Sequence, residues 1–273
     1  PESGCFHKGE KEKCFAYTHQ VFCDKNGFVL AKTTTPGNVH DSVAFFEAYN
    51  ILNKKFKDQI KNVCLDAGYV NPAICREIIL NGHTPLMPYK RPMTNKEFFK
   101  KYEYAYDEYY DCYICPNNEV LSYSTTDKNG YKQYKSNPDK CVNCPLRDRC
   151  TKSKNHQKIV TRHIWEEYKE QANENRYTQN WKDNYPKRKE TIERVFGDCK
   201  EQHNLRFTRI RGLLKNGQNT TLIFACHNLK KMANWRWKKS PNKPLIMSTF
   251  IKVLKIFKKR GILFFGYTSL STT

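Results

Sequence analysis

An α/β fold, a mixed sheet with flanking helices, is what three stretches of this sequence predict. The first is a pair of β-patterned runs around Asn26-Gly27. The second is a strand–helix–strand run from Ile60 to Tyr89 that delivers a carboxylate, Asp66, at a strand's carboxyl end. The third lies within Arg188–Gly212, where Ile192, Val195, Phe196 and Cys199 fall at i, i+3, i+4 and i+7. That spacing is one stripe of an amphipathic helix facing a core.

In chain order, residues 1–13 are polar and read as an entry loop. From Cys14 to Cys23 the large residues Phe15, Tyr17, Val21 and Cys23 alternate with smaller or polar ones, a strand pattern. Asp24-Lys25-Asn26-Gly27 supplies a tight turn, and Phe28 to Thr35 returns as the second strand. Pro36-Gly37-Asn38 ends it. A helix then starts at His40-Asp41-Ser42 with Asp41 as the expected N-cap, and Val43, Phe45, Phe46, Tyr49, Leu52 and Phe56 form its stripe. After the short strand ending at Asp66, Asn71-Pro72 opens a helix that buries Ile74, Ile78 and Ile79. Asn81-Gly82 stops it, and Thr84 to Tyr89 is a further strand.

Residues 90–181 change character: rich in Tyr, Lys, Asp and Asn, they read as an insertion whose final part, about 164–172, is helical by pattern. The expected organisation is therefore a core at 1–89, the insertion at 90–181, and the core again at 182–237. Leu222 to Met232 makes a last apolar helix, and 238–273 forms a basic amphipathic tail.

Lys and Arg number 48 against 27 Asp and Glu, a formal net charge of +21. A surplus this large selects an acidic partner, nucleic acid or an anionic membrane surface. Aromatic residues at 14% argue against a disordered basic chain. The apolar run Leu245 to Phe265 is broken by Lys252, Lys255, Lys258, Lys259 and Arg260, so no membrane span is expected. With no signal peptide seen, the twelve cysteines are expected as thiols or metal ligands in a reducing cytosol.

Five cysteines crowd into the insertion. Cys112-x2-Cys115 and Cys141-x2-Cys144 have the bite that puts two thiolates on one tetrahedral zinc, and Pro116 and Pro145 follow them. Cys150 makes a fifth candidate for four positions. The set is Cys115, Cys141, Cys144 and Cys150, or Cys112, Cys115, Cys141 and Cys144; free thiols in a loop are the plain alternative. The scattered cysteines read as small buried apolar residues. His40, His163, His203 and His227 read as structural or as DNA contacts. Glu193 stands at the edge of its helical stripe among Lys187, Arg188, Lys189, Arg194 and Lys200, with Arg206, Arg209 and Arg211 beyond. It suits either a solvated helix face or a metal ligand beside a polyanion, whereas Glu190, spaced to pair with Arg194, reads as structural.

Four separated motifs carry a resemblance: Thr35-Pro36-Gly37-Asn38-Val39-His40-Asp41-Ser42, Asp66-Ala67-Gly68-Tyr69, Glu190 to Gly197, and Arg209-Ile210-Arg211-Gly212-Leu213. Over about residues 1–237 the chain resembles DDE transposases of the IS1182 group, within the wider IS4/IS5 class. The resemblance implies an RNase H-like fold with a Cys-rich, zinc-knuckle-like insertion, and cleavage and joining of double-stranded DNA at a mobile element's terminal repeats and at its target. It implies Mg²⁺ or Mn²⁺ held by carboxylates, of which Asp66 matches the second acid and Glu193 the third. Lys200 matches a DNA-contacting Lys. The Arg four residues before the Glu is here Lys189, with Arg188 one further back, and Tyr185 sits one position early. Arg194, Arg209 and Arg211 complete the expected DNA-binding set. A structural Zn²⁺, a homodimer on DNA and a bacterial cytoplasmic, nucleoid-associated location follow from the same likeness. The first acid belongs to an Asp-Gly-Thr-like segment that this sequence does not hold, so the expectation is an N-terminally truncated chain impaired in catalysis. Asp24, the one substitute weighed, lies where a turn Asp is ordinary.

Overall fold

The computed structural model describes residues 2–8, 12–91 and 95–239; the expected basic tail lies outside them from residue 240 on. Strands β1 (Gly4–Lys8), β2 (Glu12–Cys23) and β3 (Val29–Pro36) form an antiparallel sheet in the order β1-β2-β3. The expected entry loop is therefore partly a strand, Gly4 pairing Ala16 and Phe6 pairing Cys14. At the predicted turn, Gly27 takes φ +77°, its amide donating to the Asp24 carbonyl at 2.9 Å. Positive φ suits glycine because it has no Cβ to clash. Both carboxylate oxygens of Asp24 are taken up here, one by the amides of Asn26 and Phe28 and the other by the Asn26 side chain. Asp24 is a turn residue.

Helix α1 (Asp41–Phe56) packs Phe45, Tyr49 and Leu52 onto this sheet. Its N-cap is His40, which accepts from the Ser42 amide, and not the expected Asp41. Asp41 is instead the first helical residue, and its carboxylate accepts from Gln20 Nε2 at 2.7 Å. The short β4 (Asn62–Cys64) and β5 (Thr84–Leu86) pair in parallel around α2 (Pro72–Leu80), which Asn71 caps through the Ala73 amide. Phe45, Tyr49, Val63, Leu65, Ile74 and Ile78 make the first core.

From residue 105 the chain builds a separate sheet. Strands β6 (Ala105–Asp107), β7 (Cys112–Ile114), β8 (Val120–Thr126), β9 (Tyr131–Ser136) and β10 (Ile159–His163) run antiparallel in the order β10-β9-β8-β7-β6. Helices α3 (Pro138–Val142) and α4 (Arg147–Cys150) interrupt it between β9 and β10. Tyr113, Leu121, Tyr134 and Val160 each contribute one inward side chain, with Phe99 and Tyr104, to a second core. Tyr106 and Tyr134 donate to Asp111, and Lys132 binds its other oxygen at 2.9 Å. Burial works to raise the Asp111 carboxyl, but these three partners outweigh it and hold it at about 2.

Helix α5 (Glu166–Glu174) returns to the first core through Ala172 and Tyr168. In α6 (Gln179–Asn184), Asn180 bonds Asn62, and the Trp181 indole donates to the Met87 carbonyl at 3.0 Å. Helix α7 (Lys187–Gln202) buries Val195 and Cys199, as its stripe requires. Helix α8 (Leu213–Lys239) is longer than the expected Leu222–Met232. The two pack with Val21, Cys23 and Val29 into a third core, where the Asn228 amide brackets the backbone of Val29 with two 2.8 Å bonds. The architecture is α/β with parallel and antiparallel strands, yet among the described residues they fall into three separate hydrogen-bonded sheets.

Candidate active site

Asp66 follows directly from β4. The Leu65 amide still bonds the Leu86 carbonyl, and then the chain turns into a 3₁₀ segment, Ala67–Tyr69, capped by Asp66 itself. One Asp66 oxygen accepts from the Gly68 amide at 2.9 Å. Tyr69 leaves this turn to donate its hydroxyl to Gln20 Oε1, and Gln20 donates in turn to Asp41. The chain Tyr69–Gln20–Asp41 thus ties the end of β4 to β2 and to the start of α1. Burial, then the charges of Asp41 and Asp66, push the Tyr69 phenol well above the ordinary range, so it stays a donor.

Helix α7 meets this end of the sheet through its first turns. Arg188, a quarter exposed, places Nη2 3.8 Å from Glu193 Oε1, and Glu193 itself is half exposed. The Tyr185 hydroxyl bonds Arg188, its ring stacks on Trp181 at 4.7 Å, and its phenol feels the charges of both Arg188 and Asp66. Tyr69 and Cys64 also lie in the field of Arg188. Arg188 therefore lies between Glu193, its ion-pair partner, and Tyr69 and Cys64 on either side of Asp66. Lys189, which the resemblance sets at the family's Arg position among the expected DNA-binding residues, is exposed one residue on. One helical position turns a side chain by about 100°, enough to exchange the two faces.

Lys200 is seven residues past Glu193, almost two full turns, which returns it to the Glu193 side of α7; it is exposed, as is Arg194. Arg209 and Arg211 stand exposed on the loop before α8. That loop is held from inside by Asn216, 2% exposed. Its amide nitrogen donates to the Ile210 and Gly212 carbonyls at 2.8 Å, and its oxygen accepts from Thr208 at 2.6 Å. Asn216 and Gln20 are site residues that sequence reasoning missed, since neither carries a charge or a motif. The four histidines singled out serve structure: His40 caps α1, His163 accepts from the Trp165 amide, and His227 bonds the Gly27 carbonyl with His203 against its ring.

Among the described residues no group of three or more His, Cys, Asp and Glu side chains is gathered as an ion's ligand set. Of the acids expected to hold Mg²⁺, one Asp66 oxygen accepts from the Gly68 amide and one Glu193 oxygen lies 3.8 Å from Arg188. The thiols expected to hold Zn²⁺, whether Cys115, Cys141, Cys144 and Cys150 or the set with Cys112, are free cysteines. No described helix is long and apolar enough to cross a membrane.

Residues 114–233 match the family model of the transposase DDE domain. The match supports a DDE transposase, a polynucleotidyl transferase whose substrate is DNA. It covers under half of the chain, taking in Glu193, Lys200 and the Arg209–Arg211 loop, and Asp66 lies before its start. No curated protein and no solved structure matches the chain.

Proposed function

We propose that this chain is a DDE transposase of the IS1182 group that cleaves and joins DNA at the ends of a mobile element, with Asp66 and Glu193 as two of its metal-binding acids. The observation that carries this reading is Arg188: one guanidinium contacts Glu193 and acts on the phenols and thiol around Asp66, although the two acids are 127 positions apart. The carboxylates are hard oxygen donors of the kind Mg²⁺ or Mn²⁺ takes. A bound divalent pair would activate the attacking oxygen and stabilise the leaving one.

The chain's own residues do the rest. Arg188 balances the acids and, with Tyr185, holds the α7 turn over the end of β4. Lys200, Arg194, Arg209 and Arg211 bind backbone phosphates and set the register of the duplex. Asn216 keeps the last two projecting. Strand-transfer assays on terminal-repeat DNA with Mn²⁺ test this: Glu193→Gln and Asp66→Asn should each reduce the rate by about a hundredfold or more. Full activity in either variant rejects the assignment. Tight, salt-sensitive duplex binding with no cleavage by the unaltered chain would favour the other reading, a non-catalytic DNA-binding fragment stabilised by zinc.

A further inference from the structure

Between helix α5 and the β6 edge of the five-stranded sheet lies a cavity of about 310 Å³, walled largely by tyrosine and lysine. Val70, four residues past Asp66, forms part of the wall, so the cavity adjoins the Asp66 turn. That volume is a small-ligand pocket, larger than the gaps left by ordinary packing.

The inner tyrosines have their hydroxyls engaged elsewhere. Tyr106 donates to Asp111, Tyr104 contacts the Cys150 thiol, and Tyr113 bonds Arg162. What they add to the wall is ring surface. Tyr89 and Tyr102 are the exposed members, at 40% and 68%, and a cation lies over each ring, Arg176 at 4.8 Å and Lys100 at 5.8 Å. Aromatic walls with open rings suit a planar aromatic ligand.

The charges in the wall do not cancel. Glu170 gives both carboxylate oxygens to Arg162. Glu166 is 6% exposed, and Lys101 and Lys169 both bond its Oε1 at 2.9 Å. Two lysines on one carboxylate leave a positive charge over. Lys90, exposed and with no ion-pair partner among the described residues, adds another. Glu166 Oε2 has no hydrogen-bond partner among the described residues either, and a buried carboxylate oxygen without one is costly. Each lysine keeps further N–H groups beside it, so the cavity sets an acceptor next to donors.

We propose that this cavity binds one nucleotide. Its base stacks on tyrosine, an N–H on the base edge donates to Glu166 Oε2, the neighbouring ring nitrogen or carbonyl accepts from Lys101 or Lys169, and the phosphate meets Lys90. A bare anion would leave the Glu166 oxygen unmet and be repelled by it. The nucleotide is either an unpaired one in DNA held beside Asp66 or a free mononucleotide. The first source rests on the transposase reading, but the binding itself uses neither Asp66, Glu193 nor a metal.

Equilibrium dialysis of the full chain, without divalent metal, against the four deoxynucleoside monophosphates tests this. All four should bind. On the unaltered protein, 3-methyl-dTMP, in which a methyl replaces the edge N–H, should bind at least about tenfold more weakly than dTMP. Deoxyribose 5-phosphate should not bind. Tyr102→Ala, at an exposed ring, should weaken binding about tenfold. Lys90→Ala should weaken dTMP and leave thymidine unchanged. Displacement of dTMP by a duplex with one unpaired thymidine, and not by the fully paired duplex, assigns the site to DNA; displacement by neither assigns it to the free nucleotide. No binding of any nucleotide, equal binding of deoxyribose 5-phosphate and dTMP, or unaltered affinity in Tyr102→Ala would overturn the proposal. Full strand transfer by Glu193→Gln would reject the metal acids and leave this result standing, so the two readings fail separately.

Discussion

The five-stranded sheet and the C-terminal helix pair use their basic residues in opposite ways. Between residues 97 and 163 there are twelve Lys and Arg against nine Asp and Glu, and many of the cations are spent internally. Lys132 binds Asp111, Lys140 binds Glu119, Arg162 binds Glu170 at 2.8 Å while covering Tyr106, and Arg149 covers Phe99. Between 182 and 239 there are fifteen against five, and Lys187, Lys189, Arg194, Lys200, Arg209 and Arg211 face outward. A net charge is thus a poor guide to a binding face until one knows which cations already have partners. The outward-facing surplus belongs to α7, α8 and the loop between them.

The largest effect should come where the internal use is most buried. Glu166, 6% exposed, is held by Lys101 and Lys169, each at 2.9 Å. Glu166→Gln takes the carboxylate charge from two lysines that are themselves about a third exposed and should cost about 2–3 kcal/mol in urea unfolding. Burial raises the Glu166 carboxyl, and the two lysines more than reverse this, leaving it below its ordinary 4.5. A depressed folded value means this stabilisation is complete above 4.5 and is lost as pH falls through the lower folded value, which an acid titration followed by near-UV circular dichroism will show. Next in size is Asn216→Ala. It leaves the Ile210 carbonyl without its side-chain donor and Gly212 with only the backbone amide of residue 216, and should cost about 1–2 kcal/mol, with looser DNA binding because Arg209 and Arg211 lose their support.

A sharper contrast comes from salt. Arg209→Ala with Arg211→Ala should reduce the slope of log affinity against log salt by about 2 on duplex DNA, roughly one unit per phosphate contact. Lys132→Ala should leave that slope unchanged. An equal reduction by both would erase the distinction between the two regions. The smallest expected effect is on stability in that same Lys132→Ala variant, below about 1 kcal/mol, since both partners of the pair are about a third exposed.

What the sequence made legible follows from period. The α7 stripe, the Asn-Gly hairpin and the Asn71-Pro72 helix start are local patterns, and all three are present. The five-stranded sheet was hidden because its strands are short and bury at most two side chains each among Tyr, Ser, Thr and Lys, so no long alternation stands out. Helix α8 looked shorter because Asn216 and Thr220 interrupt its apolar run, and both are buried by contacts with residues distant in sequence or outside the helix. His40 was passed over as a cap because imidazole seldom takes that position. Arg188 and Glu193 share α7, but the approach of Arg188 to Tyr69 and Cys64 on either side of Asp66 is a tertiary fact, which no local pattern encodes.

That approach is also what can be measured most directly. With Fe²⁺ in place of Mg²⁺, ascorbate and peroxide generate hydroxyl radicals at the bound ion, and the backbone is cut only nearby. Two clusters of cuts are predicted in the full chain, one around residue 66 and one around residue 193, both suppressed by excess Mg²⁺. Cuts near one of these positions alone, or near neither, would contradict a shared ion site.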